Sequence, residues 1–354
     1  MTEHLAPHFQ TPWPPSKESE ESQSPPFPGW YRDLNSFLRE SFGFKVQKIP
    51  LDAGLSCPNR DGTIGSHGCI YCDSKGSGTG AAPKSISQQI LDYISRPRKA
   101  KIGGYLAYFQ SFTNTYAPVW KLKELYDEAV GIPGILGLCI GTRPDCLGED
   151  VLALLGDYAS KGLMIWLEMG LQSAHDETLM RIRRGHDFST FQKAAFDAER
   201  AGLLICVHLI LGLPGETREH MRETARRISS LPLHGVKLHG LYVVKGTEME
   251  RILEEGSYEP LTMEEYVDGA IDVLERIPPS WVVHRLTSDP DPRSLVSPSW
   301  MLDKRKVIDA IKARMSERGT WQGRLFAHSQ GPEQEFSKTH PKFQSRYAAV
   351  TGLT

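Results

Sequence analysis

From about Gly29 to about Arg285, short apolar runs alternate with longer stretches whose apolar residues recur at helical spacing, and this alternation limits the possible folds most tightly. Val46 to Ile49, Tyr105 to Phe109, Ile135 to Ile140, Met164 to Met169, Leu204 to Leu211 and Val236 to Val243 read as strands. Helical patterns follow them in Ile86 to Ser95, Pro118 to Val130, Glu149 to Ser160, Asp176 to Arg183 with Phe188 to Ala201, Glu216 to Leu231, and Met263 to Ile277. Each helix must carry the chain back across the sheet before the next strand starts, so the alternation predicts parallel strands in an α/β fold. Six units fall short of the eight that close a full barrel. The expectation is a partial (β/α)6 TIM-type barrel over residues 29–285, with Trp281 to His284 as an added strand and small peripheral C-terminal elements.

The flanks read differently. Residues 1–28 carry Pro7, Pro12, Pro14, Pro15, Pro25, Pro26 and Pro28 among Ser and Glu, which predicts a disordered leader; residues 327–354 predict a flexible tail. No apolar run approaches the roughly twenty residues of a membrane helix and none has signal-peptide form, so the expected address is the cytoplasm, with no membrane partner. The net charge of −2 gives no global attraction to nucleic acid, so such a partner would have to meet a local basic patch. Six cysteines in 354 residues are too sparse for a disulfide scaffold, and Cys139, Cys146 and Cys206, in or near apolar runs, read as small core residues.

In (β/α) folds, chemistry collects at the carboxyl ends of the strands. The unusual polar clusters fall there: a Cys-rich loop after the first strand, Gln110 to Thr115 after the second and Gly141 to Asp145 after the third. Glu168 to Ser173 closes the fourth and Gly212 to Thr217 the fifth. The loop packs Cys57, Cys69 and Cys72 into sixteen residues with Gly62, Gly65 and Gly68 between them, the outline of a metal-binding hairpin. Clustered thiolates repel one another unless a soft cation neutralises them, which points to zinc, iron–sulfur or redox chemistry. Three protein ligands rather than four leave one iron of a 4Fe-4S cluster open to a substrate or cofactor. A Cys3His zinc site using His67 is the alternative; a disulfide would strand the third thiol.

The triplet, with the aromatic Tyr71 just before its last cysteine, resembles the CxxxCxΦC loop of the radical SAM superfamily, although eleven residues rather than three separate Cys57 from Cys69. Long first spacers of this kind are similar to those of the Elongator catalytic subunit and, more closely, of bacterial proteins of the YhcC/YtqA type. That resemblance spans about Gly29 to Gly323 and includes Cys-Pro-Asn-Arg-Asp-Gly-Thr-Ile-Gly, Phe-Gln-Ser-Phe-Thr-Asn-Thr, Gly-Thr-Arg-Pro-Asp-Cys-Leu, Leu-Gly-Leu-Pro-Gly-Glu-Thr and Gly-Thr-Trp-Gln-Gly.

The resemblance implies that Cys57, Cys69 and Cys72 hold three irons of a 4Fe-4S cluster and that S-adenosylmethionine (SAM) chelates the fourth. It further implies reductive cleavage of SAM to a 5′-deoxyadenosyl radical, with flavodoxin or ferredoxin as electron donor. Gln110, Ser111 and Thr113 stand where the superfamily receives the SAM amino group; their alternative is a strand-end turn that caps the next helix. Glu168 and Gln172 stand where related enzymes contact the ribose and methionyl groups. Arg184 matches an arginine that forks onto the SAM carboxylate, the alternative being a solvated face shared with Arg181 and Arg183. His208 replaces an aspartate used by some relatives; it reads as a cofactor contact, a substrate acid/base, or a satisfied interior histidine. Arg143 and Asp145 read as an ion pair shaping the pocket, and Gly212, Pro214 and Gly215 as a turn that brings backbone to the adenine.

From Met301 to Arg324 the chain reads as an amphipathic helix with Leu302, Val307, Ile308, Ile311 and Met315 inward and Lys304, Arg305, Lys306, Lys312, Arg314, Arg318 and Arg324 displayed. Such a strip suits tRNA phosphates, though solvated helices share the pattern. Proteins of the YhcC/YtqA type resemble wobble-uridine modification enzymes, which implies conversion of a carboxymethylaminomethyl group to aminomethyl. No acetyltransferase domain like that of the Elongator relative is expected after Arg324. Radical chemistry on a small metabolite and a zinc-stabilised RNA-binding module are the alternatives.

Overall fold

A computed structural model describes residues 25–73, 76, 84–97 and 100–326; the expected tail and all but residues 25–28 of the expected leader lie outside them. Seven parallel strands form one curled half-barrel: β1 (Val46–Leu51), β2 (Gly104–Phe109), β3 (Ile135–Thr142), β4 (Met164–Gln172), β5 (Leu204–Leu211), β6 (Gly235–Gly240) and β8 (Val282–Arg285). Each hydrogen-bonds to the next in that order. The connecting helices are α2 (Ile86–Ile94), α3 (Val119–Val130), α4 (Glu149–Ser160), α5 (Asp176–Arg181), α6 (Phe188–Arg200), α7 (Arg218–Ser229) and α9 (Met263–Arg276). The expected partial barrel is the fold.

Burial on both faces explains why the strands read as continuous apolar runs. Ile49, Phe109, Leu138, Leu167, Val207 and Leu238 face the helices, and Val46, Leu106, Cys139, Trp166, Cys206 and Val282 form a second core on the concave face. An unforeseen helix, α1 (Leu34–Phe42), packs on that second core through Leu38 and Phe42. Phe37 meets Trp166 edge-on at 5.7 Å. The chain carried the signal: Asp33 caps α1 by accepting from Asn35 N–H and Ser36 N–H, and Gly43 ends it in the left-handed conformation.

Two other expectations change. The run Val236 to Val243 is not one strand: β6 stops at Gly240, where Met301 and Tyr266 leave no room for a side chain, and β7 (Val243–Val244) pairs antiparallel with β9 (Leu295–Ser297). Between β7 and α9 lies a further unforeseen helix, α8 (Glu248–Glu254). The expected helix from Met301 is split, because Asp303 accepts from Lys306 N–H and starts α10 (Lys304–Glu317) only there. Leu302 therefore precedes the helix and is exposed, while Val307, Ile311 and Met315 are buried and Ile308 is half-buried.

Candidate active site

The Cys-rich loop follows β1 and is built from tight turns. Arg60 N–H donates to Cys57 O, Ile64 N–H to Pro58 O, Gly68 N–H to Asn59 O, and Cys72 N–H to Cys69 O. Gly68 has φ +76°, and a Cβ there would press on Arg60, so the Gly-rich spacing is a steric requirement. Asn59 closes the loop, its amide donating to Arg183 O at 2.7 Å and reaching Cys69 Sγ at 3.5 Å. Arg60 donates to Cys72 O and Asp73 O and lies over the Phe112 ring. All six thiols are free. Among the described residues no three His, Cys, Asp or Glu side chains converge as for a single metal ion, and His67 is exposed.

Arg184 sits beside this loop and is not on a solvated face. Its residue is buried, Nη2 donates to Gly170 O at 2.5 Å, Nη1 reaches Cys69 Sγ at 3.7 Å, and Nε is buried with no partner among the described residues. Arg181 is tied to Pro214 O and the exposed Arg183 lies 3.5 Å from Glu248, so only those two fit the alternative reading. Burial disfavours the Cys69 thiolate, yet Arg184, Arg143 and the Tyr71 hydroxyl together hold its pKa below the ordinary thiol value. Cys72 is pushed up to about 11, burial outweighing Arg60. Tyr71 is driven well above the usual phenol value by burial and by Cys69.

Gly170 is where β4 yields to the site: a Cβ there would lie 2.7 Å from Gln172 Nε2 and 2.8 Å from Arg184 Nη2. The ladder to β5 slips between Gly170 and Gln172, and Gln172 adopts φ +81°. Arg143 and Asp145 form the expected ion pair, bidentate at 2.9 and 2.8 Å. Cys146, expected as core, is half-buried beside Asp145, Arg143 and Cys57, whereas Cys139 and Cys206 are fully buried.

After β2, Ser111 and Thr113 are buried, Thr113 N–H donating to Ser56 O and Gln110 N–H to Leu51 O. They do not cap α3, whose first residue follows Pro118 without a side-chain cap. Ser111 Oγ is buried without a partner among the described residues. Asn114, unnoticed in the sequence, pins this turn by donating to Phe109 O, Ser111 O and Gly141 O. Gly212 and Gly215 both have φ +82° and make the expected turn, with Glu216 N–H donating to Leu213 O.

Glu168 requires a correction. It lies mid-strand, opposite Gly141 and Cys206, and not at the end of β4. Its carboxylate is fully buried: Lys48 donates to Oε1 at 2.5 Å, while Lys237 and His208 donate to Oε2. Coulombic attraction to Lys237 and Lys48 overcomes the burial penalty and holds its pKa well below the usual carboxylate range. A carboxylate so occupied is a poor ribose acceptor. His208 donates to Glu168 at 3.1 Å, and burial pushes its pKa down to about 4. Lys48 and Lys237 were missed, although a lysine inside each of two apolar strand runs was a visible signal.

The displayed cations of α10 are mostly engaged. Lys304 pairs with Asp289, Arg305 with Asp309 at 3.7 Å, Arg314 with Asp268 and Glu317, and Arg318 with Asp268 and Asp272. No described helix is long and apolar enough to cross a membrane.

The sequence pattern of the Radical SAM superfamily matches residues 61–228, and that of the Radical_SAM C-terminal domain matches residues 233–317. The chain is 40% identical over 299 residues to the protein YtqA of Bacillus subtilis, spanning 84% of this chain and 92% of the relative. It is 30% identical over 151 residues to a tRNA uridine(34) acetyltransferase of Methanocaldococcus infernus, 42% of this chain and 27% of that protein. The solved structure of the archaeal Methanocaldococcus infernus Elp3 with an N-terminal deletion shares the fold, with a TM-score of 0.57 at 18% identity over 78% of this chain and 64% of that one.

Proposed function

The chain belongs to the radical SAM superfamily, and from that premise we propose that it is a radical SAM enzyme whose Cys57, Cys69 and Cys72 hold a 4Fe-4S cluster and whose substrate is the wobble uridine of tRNA. The observation that carries the cofactor assignment is Arg184, a buried guanidinium beside Cys69 with an unpartnered Nε–H. A carboxylate-bearing cofactor at the cluster fits that donor set, and three thiolates fit a cluster with one open iron. When bound, the pair supplies one-electron reductive cleavage of SAM and, from it, hydrogen-atom abstraction.

The residues of the chain do the positioning. Arg184 would hold the carboxylate of SAM, and the Ser111 hydroxyl, without a partner among the described residues, would receive its amino group together with Gln110 and Thr113. Gln172, in its left-handed turn, would contact the ribose and methionyl groups, and Tyr71, buried beside Cys69, would stand next to the cluster. Glu168, which accepts from His208, holds Lys48 and Lys237 in place, and SAM is left to the rim. Electrons come from a small carrier of the flavodoxin or ferredoxin type.

Support for tRNA comes from the archaeal relative, named for uridine 34 of tRNA. A wobble uridine already stands in a single-stranded loop, so drawing it toward the rim costs less than extracting a paired base. Conversion of a carboxymethylaminomethyl group to aminomethyl is the reaction we assign. The engaged cations of α10 favour one second reading, radical chemistry on a small metabolite. Mass spectrometry of tRNA nucleosides from cells lacking the protein separates the two: the wobble reading expects the carboxymethylaminomethyl precursor to accumulate, and an unaltered profile overturns it.

A further inference from the structure

Below the rim, the concave face of the barrel carries a layer of ionisable groups that none of the roles above explains. Lys48 on β1, Tyr108 on β2, Glu168 on β4, His208 on β5, Lys237 on β6 and His284 on β8 all meet there. Lys48 Nζ bridges Glu168 Oε1 and His284 Nδ1, the latter at 3.1 Å, and Lys237 Nζ bridges Glu168 and the Tyr108 hydroxyl at 3.0 Å. Two lysines thus share one carboxylate.

The charge count does not close. Burial keeps His284 neutral, with a pKa near 3, and His208 neutral, near 4, and it raises Tyr108 and the thiols of Cys139 and Cys206. The layer therefore holds two cations against one anion, and half-buried Arg285 adds positive potential beside Tyr108 and His239. Hydrogen bonding is unbalanced in the same direction. His284 accepts from Lys48 through Nδ1, which puts its proton on Nε2, and that atom and Trp166 Nε1 are buried donors without acceptors among the described residues. A buried charge without a counter-charge is costly, and so is a buried donor without an acceptor. Solvent reaches the layer, since Lys48 and His208 keep 16% and 17% of their side-chain exposure. The layer also lies close to the chemistry: Glu168 is two residues, about 7 Å along the strand, from Gly170, where Arg184 is held.

We propose that the barrel lumen is a subsite for a carboxylate of the substrate, held by Lys48 and Lys237 as the counter-charge that Glu168 alone does not supply. A carboxylate brings one negative charge and acceptors for the two ammonium groups, matching the charge deficit; a phosphate dianion overshoots it. The subsite rests on the reading that the substrate reacts inside this barrel, but not on its being a nucleoside.

The test measures binding to the anaerobically reconstituted full chain by titration calorimetry, with 5-carboxymethylaminomethyluridine, its methyl ester, propionate and inorganic phosphate as probes. The acid should bind at least tenfold more tightly than its ester. Lys237→Met and Lys48→Met should each bring the acid to the level of the ester without weakening the ester, while Lys306→Met on the exposed face of α10 changes neither. The thermal midpoint of each variant is read in parallel, and either lysine variant suffices if the other does not fold. Propionate binding with the same lysine dependence, when neither nucleoside binds, supports the subsite and removes the uridine. Equal binding of acid and ester, an advantage of the acid that survives both lysine variants, tighter lysine-dependent binding of phosphate than of propionate, or no binding of any probe overturns the carboxylate subsite.

Discussion

Two regions of this molecule concentrate positive charge, and they differ in what surrounds it. On α10 the cations stand mostly in water, Lys304 and Arg305 well exposed and Arg318 a quarter exposed against buried Asp272, and Asp268, Asp272, Asp289 and Asp309 pair with four of them. In the lumen Lys48 and Lys237, with side chains 16% and 5% exposed, are largely withdrawn from water with a single carboxylate between them. The surface pairs are screened and individually weak. The lumen charges interact at close range in a medium that screens them poorly, so each partner there matters more. Charge that a protein can least easily tolerate is found next to the proposed chemistry, and charge that a sequence displays most openly is largely balanced.

Removing one partner from each region exposes the difference. Glu168→Gln leaves two buried lysines without a counter-charge and should destabilise the fold by about 3–5 kcal/mol, read as a lowered midpoint in chemical denaturation. A loss no larger than that of a surface pair would place water in the lumen and erase the contrast. Arg184→Lys comes next: the charge stays but the fork is lost, so SAM affinity should fall roughly tenfold while cluster absorbance is kept. Unchanged affinity would return Arg184 to a structural role.

Acid should act on the lumen before it acts on α10. The pKa of His284, pushed down to about 3, and of His208, pushed down to about 4, lie below the ordinary 6.5, so their contribution to stability is fully present above pH 6.5. It is lost as pH falls from 6.5 toward 4, because the unfolded chain takes up protons that the folded one refuses. The thermal midpoint should decline over that window, and His284→Phe should flatten the decline. A decline that begins only near the ordinary carboxylate range would contradict it. The smallest effect is expected at Arg305→Ser, whose side chain is 93% exposed and 3.7 Å from Asp309: no measurable change in midpoint at physiological salt. A clear drop there would mean that α10 depends on its surface charge.

The same contrast explains what could be read from the chain. Parallel strands and the Cys loop were legible because apolar runs, helical spacing and Gly-rich turns are local patterns. The partners of α10 were not, since Asp268 and Asp272 lie on α9, and neither that Arg314 meets Asp268 nor that Arg318 meets both can be known from their own neighbours. Arg184 was undecided for a similar reason: the end of α5 turns it inward through its bond to Gly170 O, a contact across the fold. Glu168 was misread as a strand end because β4 continues through Gly170 to Gln172 on a slipped register. Asp33 and Gly43, in contrast, bracketed α1 visibly, and the helix was missed because it precedes the repeating pattern.

The central claim is that Cys57, Cys69 and Cys72 hold a cluster at which SAM is cleaved, and anaerobic reconstitution with iron and sulfide, followed by reduction in the presence of SAM, tests it most directly. The full chain should turn brown and release 5′-deoxyadenosine, Cys57→Ala, Cys69→Ala and Cys72→Ala should each lose both, and Cys206→Ala, buried in the second core, should keep both. Release of 5′-deoxyadenosine by Cys57→Ala at the rate of the unaltered chain would contradict the assignment.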